Sequence, residues 1–328
     1  MSVNVEERRV QRLGTSSLIV TLPKKWVKKV NLKPGDKVAI VIEGDEIKIL
    51  PPSSTPIKRE KQVIKLRELE NKVYLQQLPT CLYILGVRDA ILNGHSLDIT
   101  TINKIITQIS GLSGTQATCL GNNKIEIKVF IDSEDVLPLL ESIFRNLVLM
   151  LRTIRKALDR EETITELVDD AKMLQKEIYK KYYLMLRLAH KNTGPTHRRH
   201  EISETLLSSE LGLLSLLLGR LALETISTLA SIGERDFSQA TLEATDELIK
   251  AVDELGLILR KPDHAKLASI YDVISRVRNK LDTIIREGGK TDLFTASKIQ
   301  DFLILLEEAT SLVSCWQTIT ILLEDKVF

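Results

Sequence analysis

Between Arg8 and Lys33 the chain carries eight lysine and arginine side chains and no carboxylate. Fixed positive charge at that density does one kind of chemistry well: it pairs with an extended polyanion and releases the counterions around it. The excess is local. The 328-residue chain holds 46 Lys+Arg against 44 Asp+Glu, so without these eight the remainder is 38 against 44, a net of −6. Segregation of this sort predicts a basic module attached to a mildly acidic body. A charge run is often only a solvated face. Here, however, Arg8 and Arg12 fall on one side of a strand and Arg9 and Gln11 on the other, with Lys24, Lys25 and Lys28 following on a short helix.

The elements that would position these residues are legible in the alternation. Short β-rich runs are predicted at 8–13, 18–22, 37–42 and 46–50, separated by turn signals at Gly14, Pro34-Gly35-Asp36 and Gly44-Asp45. One helix fits between them. It opens at Pro23, where a missing N–H costs nothing, and places Trp26, Val27 and Val30 on one face and lysines on the other. The run PPSSTP at 51–56 reads as a stiff polar linker.

From Ile57 to about Ile131 the pattern becomes an apolar strand, a helix over about 69–92 that contains Pro79, and a short strand at 97–99. A helix over 100–110 and strands at 115–120 and 124–131 complete a βαβαββ unit. Beyond Asp132 the β signals stop. Six long helical patterns are predicted at 137–158, 164–190, 202–232, 237–259, 265–285 and 293–323, which group as two sets of three. The fold class is therefore multidomain: an N-terminal all-β module at 1–52, a small α+β domain at 57–132 and an all-α region at 133–328, with repeats at about 133–232 and 236–328.

Composition narrows the function classes. Cys81, Cys119 and Cys315 are scattered and odd in number, which supports neither a disulfide framework nor a zinc site. The most apolar run, 211–223, is interrupted by Arg220, and no charged-then-apolar leader precedes the first strand. The expectation is a cytoplasmic chain without membrane insertion. No Gly-rich phosphate loop or nucleophile motif is present, so no enzyme activity and no cofactor is expected. THRRH at 196–200 brings His197 and His200 together with two arginines that would repel a cation, and reads as a loop. The acids Glu243, Asp246, Glu247, Asp253 and Glu254 have the spacing of a solvent face. Tyr179, Tyr182 and Tyr183 read as packing.

The pattern VQRLGTSSLIVTLPKKWVKKVNLKPGDKVAIVIEGDEIKILP resembles the AbrB/MazE-type swapped-hairpin DNA-binding domain. The resemblance rests on the basic strand before Gly14, on Ser16, on Leu22-Pro23, on the Leu-Lys-Pro-Gly-Asp turn and on the strand ending at Pro51. It implies a homodimer with interleaved strands that lies on double-stranded DNA through Arg8, Arg9, Gln11, Arg12, Ser16, Thr21, Lys24, Lys25 and Lys28. Two such copies carry a nominal 16 positive charges from the eight in each. Arg12 occupies the family's DNA-facing arginine, Gln11 stands where lysine is common, and Thr21 replaces an arginine. The segments EIYKKYYLMLRL, GRLALETISTLA and LEEATSLVSCWQTI resemble the motifs of PhoU, a phosphate-signalling regulator with two three-helix bundles. The whole chain looks like the archaeal AbrB–PhoU fusions, which implies regulation connected with phosphate and a protein partner on the helical body. The family's metal-binding aspartates are replaced by Tyr179, Leu223 and Ser311, so no metal is expected.

Overall fold

A computed structural model describes residues 6–14, 17–43, 46–51, 62–65, 72–94, 97–121, 123–131, 135–159, 164–192, 199–232, 237–259, 261, 263–287 and 289–324. Ser16, the linker beyond Pro51 and His197 lie outside them, as do the side chains of Arg199 and His200. The chain divides into two compact units, Met1–Lys61 and Gln62–Phe328.

The first unit is β-rich. Strands β1 (Gln11–Leu13) and β2 (Ser17–Ile19) form one antiparallel hairpin, and β3 (Ala39–Glu43) and β4 (Glu46–Leu50) form another. Between them lies α1 (Lys24–Lys29).

The second unit begins with a four-stranded sheet, ordered β5-β6-β8-β7. Its strands are β5 (Gln62–Lys65), β6 (Asp89–Asn93), β7 (Thr115–Cys119) and β8 (Lys124–Val129), with only the β5–β6 pair parallel. Helices α2 (Lys72–Ile84) and α3 (Ile99–Ser110) complete the βαβαββ order. Asp98 caps α3 by accepting from the Thr101 N–H at 2.7 Å, and the helix buries Ile102, Ile105 and Ile109 against Leu92, Ile125 and Ile127. Two sequence expectations fail here. The helix expected to reach Leu92 stops at Ile84, and the strand expected at 97–99 lies instead at Asp89–Asn93. Gly86 is the cause. At φ +79° it accepts the left-handed position after the helix, while the Gly86 N–H bonds to the Tyr83 carbonyl and the Val87 N–H to the Leu82 carbonyl, closing a Schellman turn.

Six helices follow, close to the positions read from periodicity: α4 (Val136–Asp159), α5 (Ile164–Asn192), α6 (Arg199–Ser231), α7 (Gln239–Leu257), α8 (His264–Glu287) and α9 (Lys290–Glu324). Each set of three packs internally, and the sets meet where α4 lies on α7 and α6 on α9. They share one hydrophobic core, running from Leu140 and Ile143 through Leu211 and Ile226 to Leu255, Ile274 and Leu303. Among the described residues α6 has one stretch, Thr205–Ser231, long and apolar enough to cross a membrane, and 44% of its most apolar window is buried in the body. Its apolar character suits its place, since α4, α5 and α9 all pack on it.

At the junction Gly256 of α7 lies close against Phe144 of α4. A Cβ on Gly256 would lie 2.9 Å from the Phe144 Cβ, an atom fixed to its helix. Gly256→Ala gains about 1 kcal/mol of helix propensity but forces the helices apart. The expected net result is a destabilisation of about 1–2 kcal/mol, read as a lower denaturant midpoint.

The α+β layer is held on the helices by Tyr83, Leu112 and Val129 against Leu184 and Leu188 of α5. At the centre of this contact is Arg187, 5% exposed. Its Nη1 donates to the carbonyls of Tyr83 at 2.7 Å and Val87 at 3.1 Å, and Nη2 to that of Gly86 at 3.3 Å. The guanidinium also lies 5.2 Å from the centroid of the Tyr83 ring. A cation from one layer thus seals the last carbonyls of a helix in the other, at the negative end of its dipole.

Candidate nucleic-acid interface

Helix α1 is short, and its ends explain its placement. Pro23 precedes it in an extended conformation (ψ 127°) and provides no side-chain cap. At the other end Asn31 takes a positive φ of 52°, the Leu32 N–H bonds to the Val27 carbonyl at 3.0 Å, and the Asn31 N–H bonds to the Lys28 carbonyl at 3.2 Å. That is a Schellman stop with asparagine in the left-handed position. The chain then turns at Lys33-Pro34-Gly35-Asp36. Gly35 has φ +94°, the Asp36 N–H bonds back to the Lys33 carbonyl at 3.1 Å, and the Lys33 N–H bonds to the Asp36 carboxylate at 2.7 Å. Proline followed by a positive-φ glycine is the residue order of a type II turn.

The charges on this frame stand at the surface. Arg8, Arg9, Gln11, Arg12, Thr21, Lys24, Lys25 and Lys28 are all exposed or half-buried at the surface. Arg8 forms an ion pair with Glu6. Arg9, Lys24, Lys25 and Lys28 make no ion pair among the described residues. Lys28 and Lys29 in the last turn of α1 suit the helix dipole, whereas Lys24 and Lys25 stand in the first turn, where there is no acid. Helix stability alone would favour carboxylates at those two positions. Lysine there leaves the positive end of the dipole unneutralised within the helix.

The register sorts the strand residues. Arg12 faces Leu18 across the β1–β2 hairpin, and Gln11 faces Ile19, so Arg12 and Gln11 project to opposite faces. In the second hairpin Ile40 pairs with Ile49 and Ile42 with Ile47, which sets four isoleucines on one face. That face is open: Ile40, Ile42 and Ile47 are 62%, 74% and 67% exposed, and no described side chain in residues 6–51 is buried. A β unit whose described side chains bury no core is incomplete as a single copy.

Residues 11–62 match the family described as antidote-toxin recognition MazE, bacterial antitoxin. The N-terminal unit is thus similar to domains of the MazE/AbrB type. Domains of this type bind DNA and dimerise, and they point to a DNA-binding or antitoxin-like regulatory role. The match ends at the boundary of the first compact unit. No curated protein matches the chain.

Elsewhere the sequence candidates resolve into packing and ion pairs. Tyr179 and Leu223 pack against the helical core, and the Ser311 hydroxyl lies 3.3 Å from that of Tyr271. Tyr183 stacks near Tyr179 and Tyr182, with centroids 5.9 and 5.7 Å apart, and burial pushes the Tyr182 and Tyr183 phenols above their ordinary pKa. Three acids of α7 are answered by cations from other helices: Glu243 by Lys280 at 2.5 Å, Glu247 by Arg276 at 3.1 Å and Asp246 by Arg155 at 3.0 Å. Among the described residues no three metal-ligating side chains converge. Sequence reasoning missed two features of weight, the isoleucine face and the target of Arg187. The alternation in AIVIEGDEIKI could have given the first; the second needed the fold.

Proposed function

We propose that the chain is a DNA-binding regulator that works as a homodimer of its N-terminal unit, with the helical body receiving a signal or a protein partner. The observation that carries this is the exposed, acid-free basic set of β1 and α1 on a unit that matches the MazE family. It acts by binding, and no catalytic step is assigned to it. The finer reading, a PhoU-like body concerned with phosphate, is supported by the motif resemblance and by the two packed sets of three helices. Two other readings differ in what they require. In one, an adaptor docks its body on a phosphate transporter or its ATPase and uses the basic unit only to dimerise. In the other, favoured by the description of the matched family, the N-terminal unit answers a toxin.

Duplex binding separates them, because only the regulator needs it. Lysines on a short helix are flexible point charges suited to phosphates, whereas Arg12 on a strand offers a planar fork suited to a guanine edge. Lys24→Ala with Lys25→Ala is expected to weaken binding about equally on all sequences and to flatten the log–log salt dependence by roughly 0.9 for each phosphate no longer neutralised. Arg12→Ala is expected to cost about 1–3 kcal/mol on the preferred site and to relax discrimination at one position in each half-site. Absence of duplex binding at low salt, or unchanged affinity and slope in these variants, would give the adaptor the lead.

A further inference from the structure

Helices α4, α5 and α9 pack on α6 and leave one of its faces open. Along that face stand Leu206, Glu210, Leu213, Leu217, Arg220 and Glu224, all exposed, the three leucines at 54%, 44% and 36%. Their spacing alternates four and three residues, which is the seam of a heptad repeat and not a scatter of single surface leucines. The seam is also symmetric. Leu213 and Leu217 stand two residues either side of Ser215, and Glu210 and Arg220 stand five residues either side. A second copy running antiparallel and centred on Ser215 therefore brings Leu213 level with the partner's Leu217, and Glu210 level with the partner's Arg220. A parallel copy would set glutamate on glutamate and arginine on arginine, which repels.

We propose that this face of α6 is an interface between two copies of the chain, paired antiparallel about Ser215. Leucines form its centre, and a Glu210–Arg220 pair closes each side. At the rim Leu206 comes level with the partner's Glu224, a carboxylate that Lys298 already answers within each chain at 2.7 Å. Charge decides against a lipid surface as the occupant. Burying the leucines in a membrane would desolvate Glu210, Arg220 and Glu224 on the same face, and the two acids there outnumber the one base that could hold an anionic headgroup. The contact is small. Two leucine levels with an ion pair at either side are too little to hold free copies together at micromolar concentration. The face closes where copies are already joined, because a tether supplies an effective concentration of about millimolar; in that respect it rests on the homodimer proposed above. The body then has a paired and a separated state, which is the two-state element a signal needs to bias.

The test is chemical crosslinking of the full chain. Cys81, Cys119 and Cys315, all exposed, are replaced by serine, Leu213→Cys is added, and a short bismaleimide is applied. The expected result is a covalent dimer on a denaturing gel, formed much faster than from a chain carrying Asp272→Cys on the exposed side of α8. Glu210→Arg or Arg220→Glu alone should slow the reaction by about tenfold or more, since each sets like charges level with one another. Both together in one chain should restore it. Glu210 and Arg220 are exposed, so all these variants should keep their helical circular dichroism, and the recovery by the double reversal is an outcome that a misfolded helix would not give. A rate no faster than that of the Asp272→Cys chain, or single reversals without effect, overturns the proposal. So does attachment of the parent chain to phosphatidylcholine–phosphatidylglycerol vesicles that Leu217→Glu abolishes, which would give the face to a membrane. Adding Ile42→Asp should slow crosslinking by removing the tether; an unchanged rate would count against the N-terminal dimer and leave the α6 contact standing.

Discussion

Ile42→Asp is expected to convert the dimer to monomer and to abolish tight duplex binding in the same step. Ile42 lies 74% exposed in one copy, directly opposite Ile47 and beside the Ile40–Ile49 pair. No described side chain in residues 6–51 is buried, so these isoleucines must be covered by a second copy if the unit is to have a core. A carboxylate buried there without a partner costs at least about 2 kcal/mol, and a two-fold interface meets the substitution twice. The total of roughly 4 kcal/mol corresponds to about a thousandfold weaker dimer. Sedimentation over a concentration series reads the first effect. The second follows because two linked modules on adjacent half-sites gain from effective concentration, and a monomer loses that gain. A variant that still sediments as a dimer and binds DNA as the parent does would show that the isoleucine face is not the interface.

Arg187→Met is expected to be the most damaging single substitution in the second unit. The side chain is 5% exposed, donates to three carbonyls around Gly86 and lies over the Tyr83 ring. Methionine of similar length removes the guanidinium donors from those carbonyls, of which that of Tyr83 keeps the Gly86 N–H, and the contribution of a desolvated cation over a ring disappears as well. A loss of about 3–5 kcal/mol is expected, which for a unit of this size lowers the melting temperature by roughly 10 °C or more. Arg187→Lys should recover only part, because one ammonium cannot reproduce the fork that serves three acceptors. Protection of α2 amides from hydrogen exchange should fall before that of α4. Equal loss across the whole unit would mean that Arg187 supports the body generally rather than joining the two layers.

Much of the fold is legible in the sequence, for physical reasons that differ by region. The helices of the body are long and strongly periodic, and α4, expected over 137–158, spans Val136–Asp159. The failure at α2 and β6 comes from extending one apolar run, ILGVRDAILN, through a glycine whose role depends on its φ. Residue type alone gives no sign of that. At the candidate interface the charges and turns are legible as types, since Pro34-Gly35-Asp36 has few conformations available. The core those charges stand on is not, because no described side chain of residues 6–51 is buried in a single copy. Nor is the link between Arg155 and Asp246, which are 91 residues apart and meet only when α4 packs on α7. Three of the five acids that have the spacing of a solvent face, Glu243, Asp246 and Glu247, are partners of α4 and α8.

That 91-residue separation also bears on the order in which the body forms. Contacts within α4–α5–α6 and within α7–α8–α9 join helices at most two apart in sequence, so each set can collapse as soon as its own three helices exist. The α4–α7 seam requires a long loop to close and gains little until both partners are already shaped. Docking is then the slow step on the way in. A set emerging first from the ribosome would wait for the other with Phe144 lacking its α7 neighbour, which makes the seam the point where chaperones or stray chains would attach.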